Sequence, residues 1–373
     1  MTVDARPASS LDALTQLLDL RPGDGGDGHT RLGVVAGRSG PRFLVPLDFP
    51  EASPQACLAY LGLRSRKTQL SRGAVGLALK ANLGRFVARD VLHADTGRGS
   101  LIALLAELLE DPDEEPGLAV AVGLSRIDEV WKPTLQVFRP DGTPAAFVKI
   151  GLGPVGDHLV ATEAATLATW GHHPDPRLVV PDLIADTRWN GVRIAVVAPL
   201  PEDSRRLPPG APSAWAVREL DGPEEHARLD AAPWWTSRRA ACAGQAEIDE
   251  LLARIEARHD TTEHAWARWH GDWVPWNLAR CHRGLVAWDW EYSEPGAPVG
   301  LDEVHGAYQQ ARVAEGRSIA EALAAAHHTA GWLADAHTAM LITRSAELER
   351  LLGAPPADQA ELLAAARGAV TAP

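Results

Sequence analysis

The sequence predicts an α+β fold with a mixed N-terminal segment, a strand-rich middle and a helical C-terminal part. In the middle, short apolar runs alternate with the turn signals Pro140-Asp141-Gly142 and Asn190-Gly191. After residue 300, four long segments carry apolar residues at helical spacing. A chain of 373 residues can hold two or three domains.

Composition excludes several classes of protein. The formal net charge of −13 disfavours nucleic acid as a bulk partner. There is no apolar run long enough for a membrane helix, and residues 1–24 lack the apolar centre of a signal peptide. Cys57, Cys242 and Cys281 are scattered, without the spacing of a disulfide or metal motif. We therefore expect a cytoplasmic protein with no membrane partner.

Residues 1–115 are predicted to form a first domain of mixed α/β structure. Its expected helices are Ser9–Leu20, Ala74–Leu92 and Ser100–Glu110, and its strands Arg31–Ala36 and Arg42–Leu47 flank a turn at 37–40. The acidic, Pro- and Gly-containing stretch 111–117 marks the boundary.

Residues 116–200 are predicted to form an antiparallel sheet with one helix. The expected strands are Leu118–Leu124, Pro133–Phe138, Ala145–Ile150, Leu178–Asp186 and Val192–Ala198. Lys149 interrupts an apolar strand, which costs desolvation unless the ammonium is paired or contacts an anion. Glu163, on the predicted helix Val160–Trp170, could pair with it or simply be a favourable charge near a helix N-terminus. Pro199-Leu200-Pro201 ends the sheet and suits a hinge.

Residues 201–373 are predicted to be mostly helical. Glu202–Arg239 is predicted to be irregular with short helical pieces. Helices are expected at Ala241–His259, Thr261–Arg268, Leu301–Ala314, Ser318–Trp332, Ala334–Leu351 and Ala357–Val370.

One stretch in this last segment carries the chemistry. Asp272 and Asn277 precede a predicted hairpin that turns at Gly284, and Asp289 follows it. The hairpin would bring Asn277 and Asp289 together, with Asp272 alongside. Two oxygen ligands for a hard cation and a separate carboxylate are the groups that phosphoryl transfer requires.

Tryptophan is abundant around this stretch. Six of the 13 tryptophans of the chain fall between residues 266 and 290. Packing around a loop that needs rigid support is one explanation. Alternatively, Trp273 or Trp276 forms an aromatic wall of an acceptor site.

In order and spacing, these motifs resemble those of the aminoglycoside phosphotransferase and choline kinase family. His270-Gly271-Asp272 with Asn277 is similar to its catalytic loop, and Asp289-Trp290-Glu291 to its metal motif. The resemblance spans roughly 118–351. It implies a protein-kinase-like two-lobed fold, with an antiparallel-sheet N-lobe (116–200) and a helical C-lobe (201–373). Residues 1–115 resemble, in placement, the N-terminal cap of maltokinase-like and glucosamine-kinase-like sugar kinases.

The resemblance also implies roles for individual residues. Asp272 would be the general base and His270 a structural part of the catalytic loop, while Asn277 and Asp289 would hold Mg²⁺ on ATP. Lys149 would contact the ATP phosphates and Glu163 would hold it, with Asp302 bracing the loop. No glycine-rich loop precedes Lys149, so Ser125 and Arg126 are the candidates for covering the phosphates. Glu291 joins Trp273 and Trp276 on the expected acceptor side.

The resulting hypothesis is an ATP-dependent phosphotransferase acting on a hydroxyl of a sugar, amino sugar or aminoglycoside-like acceptor. The alternative is a kinase-like module that binds a nucleotide or a partner with little catalysis. A protein kinase is disfavoured by Asp289-Trp290-Glu291 and by the helical tail. The sequence leaves the acceptor, the choice between ATP and GTP, and the oligomeric state open.

Overall fold

The computed structural model describes the chain except residues 1–8, 24, 25, 27, 38, 39, 110–116, 171–176, 208–224, 260, 329, 330, 372 and 373. Its internal contacts divide the chain into two compact units. Unit 1 comprises Met1–Arg206 and Ala279–Val286, and unit 2 comprises Leu207–Leu278 and Ala287–Pro373. Each unit is described by itself.

Unit 1 is built on a nine-stranded sheet in the order β1-β4-β2-β3-β5-β6-β7-β10-β9, in which the strand pairs are antiparallel. Its strands are β1 (Arg21–Pro22), β2 (His29–Gly37), β3 (Gly40–Pro46), β4 (Ala88–Asp95), β5 (Ala119–Gly123), β6 (Thr134–Phe138), β7 (Pro144–Gly151), β9 (Leu183–Trp189) and β10 (Val192–Val197).

The sheet runs without interruption from the predicted first domain into the predicted N-lobe. Phe43 and Leu44 of β3 pair with Gly123 and Val122 of β5. The predicted boundary segment 111–117 lies almost entirely outside the described residues, and the division at residue 115 stays a prediction.

Six helices accompany this sheet in the described part of unit 1: α1 (Ser10–Leu18), α2 (Ala52–Leu58), α3 (Arg66–Lys80), α4 (Gly84–Val87), α5 (Leu101–Leu109) and α6 (Gly153–Trp170). Successive residues of β3 point to opposite faces of the sheet, so Leu44 packs in one apolar cluster and Phe43 and Val45 in another. The sheet is therefore covered by apolar residues on both faces.

The predicted helix Ala74–Leu92 is interrupted after Lys80, resumes as α4 and is wrong from Ala88 onward. Helix α3 ends at Lys80, Asn82 takes a left-handed φ of +57°, and Ala88–Asp95 is strand β4. This strand pairs with β2 along its length, so backbone hydrogen bonds to a distant segment override the local helical pattern.

A second, small sheet has the order β11-β14-β15-β8, with β8 at Leu178–Val179 and β11 at Arg205–Arg206. Its middle strands β14 (Leu278–Cys281) and β15 (Gly284–Ala287) form the hairpin that the sequence predicts. A side chain at Gly284 would lie 2.1 Å from the carbonyl oxygen of Arg177, which explains the glycine at this turn.

Unit 2 has a three-stranded sheet, β12-β13-β16, at Glu225–Arg228, Glu263–Trp269 and Glu294–Pro298. The helix predicted over Thr261–Arg268 is wrong, because β13 occupies this stretch. It is hydrogen-bonded on both sides, and aromatic residues suit a strand held between two partners.

Most of the remaining described part of unit 2 is helical, as predicted, whereas the loops 270–277 and 288–293 are not. Its helices are α7 (Pro233–Ala241), α8 (Ala246–His259), α9 (Leu301–Gln309), α10 (Ile319–His327), α11 (Trp332–Leu352) and α12 (Gln359–Thr371). Helix α9 continues into a π-helical turn at Gln310–Ala314. A Glu321 side chain and the Ser318 cap form a capping box that starts α10.

The tryptophans around the predicted catalytic stretch serve mainly in packing. Trp235, Trp269, Trp273 and Trp290 are among the largest fully buried side chains of the chain. Largely antiparallel sheets, in which β8 and β15 are a parallel pair, and a mostly helical later part confirm the predicted α+β fold class. No helix in the described residues is long and apolar enough to cross a membrane.

Candidate active site

In unit 2, His270 organises the loop that precedes Asn277. Its Nδ1 lies 3.2 Å from the backbone N–H of Asp272, and its Nε2 lies 3.1 Å from the carbonyl oxygen of Trp288. The first contact requires an acceptor and the second a donor, so the ring is neutral with its proton on Nε2. The ring is fully buried and lies 4.3 Å from the ring of Trp290. His270 therefore has the contacts of a loop-fixing residue.

Asp302, near the start of α9, holds the same loop from the other side. Its two oxygens accept hydrogen bonds from the backbone N–H groups of His270 (2.6 Å) and Gly271 (2.9 Å). Burial raises the pKa of Asp302 to about 6, and these hydrogen bonds oppose the rise. Gly271 is required here, because it has a φ of +83° and a Cβ would meet the carbonyl oxygen of Tyr292 at 2.2 Å.

Asp272 and Asn277 are in direct contact. The Asn277 amide Nδ2 donates to Asp272 Oδ2 at 2.8 Å and to the Asp272 carbonyl oxygen at 3.2 Å. Asp272 Oδ1 is buried and has no hydrogen-bond partner in the described part of the chain. Because both of these hydrogen bonds use Nδ2, the amide oxygen of Asn277 is not engaged by Asp272.

The surroundings of Asp272 favour its protonated form. Burial raises the pKa of Asp272 to about 7, and the negative charges of Asp289 and Glu291 add to the rise. Arg344 and the amide of Asn277 oppose it. A carboxylate with a pKa close to neutrality suits a general base.

Asp289 lies just beyond the hairpin. Its φ of +63° is in the left-handed region, which aspartate tolerates better than most residues. The backbone N–H of Trp288 donates a hydrogen bond to the carbonyl oxygen of Asn277 at 3.2 Å. Because Trp288 directly precedes Asp289, this hydrogen bond brings the backbones of Asn277 and Asp289 close together. Glu291, two residues further on, is 9% exposed. The oxygen-donor set suits a hard divalent cation.

In unit 1, Lys149 of β7 and Glu163 of α6 form a buried ion pair. Lys149 Nζ lies 2.6 Å from Glu163 Oε1, and 8% and 2% of the two side chains are exposed. The strand lysine thus has the carboxylate partner that the sequence suggests. The alternative, a favourable charge near a helix N-terminus, is wrong because α6 begins at Gly153, ten residues before Glu163.

The other predicted positions in unit 1 are more open. Ser125 and Arg126 are exposed in the loop between β5 and β6, and the Ser125 hydroxyl accepts a hydrogen bond from Trp131 Nε1 at 2.9 Å. The carbonyl oxygen of Leu200, in the predicted hinge, accepts a hydrogen bond from the Tyr60 hydroxyl at 2.8 Å. The phosphate-covering role of Ser125 and Arg126 and the hinge at Leu200 stay predictions.

On the expected acceptor side, the two tryptophans differ. Trp276 is 38% exposed, whereas Trp273 is 2% exposed and packs its ring edge-on to His270 at 5.5 Å. Arg344 of α11, whose charge acts on Asp272, is a site residue that the sequence did not predict. The only signal was a charged residue between the apolar Ile342 and Ala346 of a helix.

No protein-family profile matches the chain, and no curated protein matches its sequence. Solved structures that the chain is similar to include aminoglycoside phosphotransferase APH(4)-Ia, a mutant of which was crystallised with AMP-PNP and hygromycin B. For that mutant the identity is 12%, the TM-score is 0.46, and the match covers 71% of this chain and 97% of the other.

Two further similar structures belong to small-molecule kinases. The amicoumacin kinase hAmiN, in complex with AMP-PNP, Ca²⁺ and Ami, has 11% identity, covers 72% of this chain and 92% of its own, and has a TM-score of 0.43. The choline kinase LicA from Streptococcus pneumoniae has 12% identity, covers 72% and 98%, and has a TM-score of 0.43. Both groups named in the predicted resemblance are therefore among the similar structures.

Proposed function

We propose that this chain is an ATP-dependent phosphotransferase that transfers the γ-phosphate of ATP to a hydroxyl of a sugar, amino sugar or aminoglycoside-like acceptor. The observation that carries the proposal is the pair of Asp272 and Asn277. Asn277 holds Asp272 Oδ2 at 2.8 Å, which leaves a buried Oδ1 without a partner among the described residues and available to accept a proton.

In the proposed reaction, the hydroxyl oxygen of the acceptor bonds to the γ-phosphorus of ATP while Asp272 Oδ1 accepts the proton of that hydroxyl. The bond from the γ-phosphorus to the bridging oxygen breaks, and ADP leaves. His270 and Asp302 keep the loop in place, since they bind its backbone. Pre-organisation of this kind provides much of the acceleration in phosphoryl transfer.

Asn277 Oδ1 and the Asp289 carboxylate would hold Mg²⁺, which neutralises phosphate charge when it is bound. Their oxygen chemistry fits this ion. Lys149 would bind the α- and β-phosphates of ATP, because its ammonium is kept charged and oriented by Glu163. Ser125 and Arg126, exposed in a loop before β6, are the candidates for covering the phosphates. We place the reaction in the cytoplasm, where ATP is available.

The test is release of ADP from ATP and Mg²⁺ with a panel of sugars, amino sugars and aminoglycosides. We expect turnover of at least one acceptor and a loss of about 10³-fold or more in Asp272→Asn. The matched control is Asp230→Asn, which removes an exposed carboxylate of unit 2 and should leave the rate unchanged.

Chelation of the cation by EDTA should abolish turnover, and Mg²⁺ should restore it. ATP binding without turnover of any acceptor, equal in the wild type and Asp272→Asn, would instead favour the nucleotide- or partner-binding module.

A further inference from the structure

Arg344 of α11 is held between two aromatic rings of unit 2. Its guanidinium carbon lies 4.2 Å from the ring centroid of Tyr292 and 5.4 Å from that of Trp269. Both distances are within the range of cation–π contacts, and such stacking orients the planar guanidinium. The position of the positive charge is therefore set by the rings.

These rings do not satisfy the hydrogen-bonding capacity of the guanidinium. Arg344 Nη2 is buried and has no hydrogen-bond partner, and the side chain forms no ion pair, within the described ranges of the chain. A buried donor without an acceptor is costly, more so when it is charged. An oxygen that is absent from the folded chain would remove this cost.

The neighbouring Arg238 of α7 shows that the fold can give a buried arginine a carboxylate partner in this region. Its Nη1 donates to Thr343 Oγ1 at 2.9 Å, and its Nη2 lies 2.5 Å from Glu294 Oε2. Glu294 is therefore already engaged with Arg238, although its charge also acts on Arg344. Among the described residues, Arg238 Nε and Arg344 Nη2 both lack a hydrogen-bond partner, but only Arg238 has a carboxylate paired with its charge.

The free donor lies in the electrostatic neighbourhood of the free oxygen of the proposed base. Arg344 and Asp272 act on each other as opposite charges, yet no hydrogen bond or ion pair joins them. Asp272 Oδ1 also has no hydrogen-bond partner in the part of the chain that the structure describes. A ligand with a hydroxyl for Asp272 and a second oxygen for Arg344 would satisfy both groups.

We propose that Arg344 binds the phosphate acceptor, and that the acceptor is an oxygen-rich sugar without an ammonium group at the Arg344 position. Nη2 donates to a hydroxyl, ring or carboxylate oxygen of the sugar near the reacting hydroxyl. An ammonium has only donors and would repel the guanidinium, so polycationic aminoglycosides are disfavoured. The inference deepens the proposed phosphotransferase function and depends on it.

The test combines three arginine variants with a panel of acceptors at saturating ATP and Mg²⁺. The panel contains neutral sugars, sugar acids, amino sugars and a polycationic aminoglycoside. Arg344→Gln removes the charge and Arg344→Lys keeps it without the planar fork. Arg350→Gln, an arginine of the same helix whose side chain is 61% exposed, is the control.

We expect the wild type to have its highest kcat/KM with a neutral sugar or a sugar acid. Arg344→Gln should raise KM for that acceptor about 10-fold or more, with KM for ATP changed less than about 2-fold. The acceptor KM of Arg344→Lys should lie between those of the wild type and Arg344→Gln, and the acceptor KM of Arg350→Gln should equal that of the wild type. A larger effect for sugar acids than for neutral sugars would identify a carboxylate as the oxygen bound.

An acceptor KM that is unchanged in a folded Arg344→Gln variant would overturn the inference and leave the phosphotransferase function standing. So would a wild-type preference for the aminoglycoside, a result that needs no variant to fold. Absence of turnover with every acceptor would overturn the proposed function itself.

Discussion

Lys149 Nζ and Glu163 Oε1 lie 2.6 Å apart inside unit 1, between a strand and the helix that follows it. A buried ion pair contributes little net stability, because desolvation offsets the attraction, but either charge left alone is costly. The pair therefore allows a charged lysine to lie within a sheet, and the stability effect of each residue depends on the presence of the other.

A double-mutant cycle should reveal this dependence. Lys149→Met and Glu163→Leu are each expected to lower the free energy of unfolding by about 3–5 kcal/mol, since each leaves one buried charge. The double variant should cost much less than the sum of the two. Urea unfolding measures all four proteins, and strictly additive losses would contradict the prediction. Both single variants should also lose ATP binding, which separates this pair from a purely structural one.

The pH dependence of the reaction should follow Asp272. Its pKa of about 7 lies above the ordinary value, so the ionised base is lost as the pH falls through this range. We expect kcat/KM to decline up to tenfold per pH unit on the acid side. A bound cation favours the carboxylate, so the midpoint should lie at or below about 7. Initial rates from pH 5 to 8 provide the check, and a flat profile would argue against Asp272 as base.

Gly271 and Gly296 both have positive φ, so alanine variants of the two can distinguish the cost of backbone strain from the cost of a steric clash. The two φ angles are +83° and +66°, but a Cβ meets the Tyr292 carbonyl oxygen at 2.2 Å only at Gly271, and nothing within 4 Å at Gly296. Gly296→Ala should cost about 1–2 kcal/mol of stability from strain alone. Gly271→Ala should cost at least about 2 kcal/mol more and disturb Asp272, its neighbour in the loop.

Thermal unfolding and initial rates of the two glycine variants provide the measurement. Equal losses of stability in both variants would show that the close approach of the Tyr292 carbonyl is unimportant.

Three histidines form a buried chain in unit 2. His305 Nδ1 lies 3.1 Å from His337 Nε2, and His337 Nδ1 lies 2.9 Å from His327 Nε2. Burial lowers the pKa of His305 and His337 well below the ordinary value and that of His327 to about 4. Because their folded pKa values are depressed, these groups stabilise the fold above about pH 6.5, and this contribution is lost as the pH falls toward 4.

The substitution His327→Gln should therefore make the free energy of unfolding less dependent on pH. Between pH 7 and 4.5 the free energy of unfolding of this variant should fall by about 2 kcal/mol less than that of the wild type. The raised pKa values of Asp272 and Asp302 give the opposite slope, but they are common to both proteins and cancel. His328→Gln, at the next and exposed position, is the control. Parallel curves for His327→Gln and the wild type would contradict the prediction.

The sequence predicted the elements whose signal is local. The hairpin between Asn277 and Asp289 follows from Gly284 and short apolar flanks, and strands β5 to β7 follow from their turns. The two wrong helices, over parts of Ala74–Leu92 and Thr261–Arg268, have local composition compatible with a helix. The first contains strand β4 because β2 pairs with it, and the second contains strand β13 because β12 and β16 pair with it.

By itself, the sequence determined which chemical groups this protein can offer: a carboxylate at Asp272, oxygen donors at Asn277 and Asp289, and a strand lysine. The tertiary structure alone decided which of these groups stay unsatisfied. The Asp302 brace and the ring-held Arg344 come from helices far along the chain, and burial shifts the pKa of Asp272 to about 7. The reason is physical: residue type and spacing act over a few residues, whereas desolvation and charge act through whatever the fold brings near.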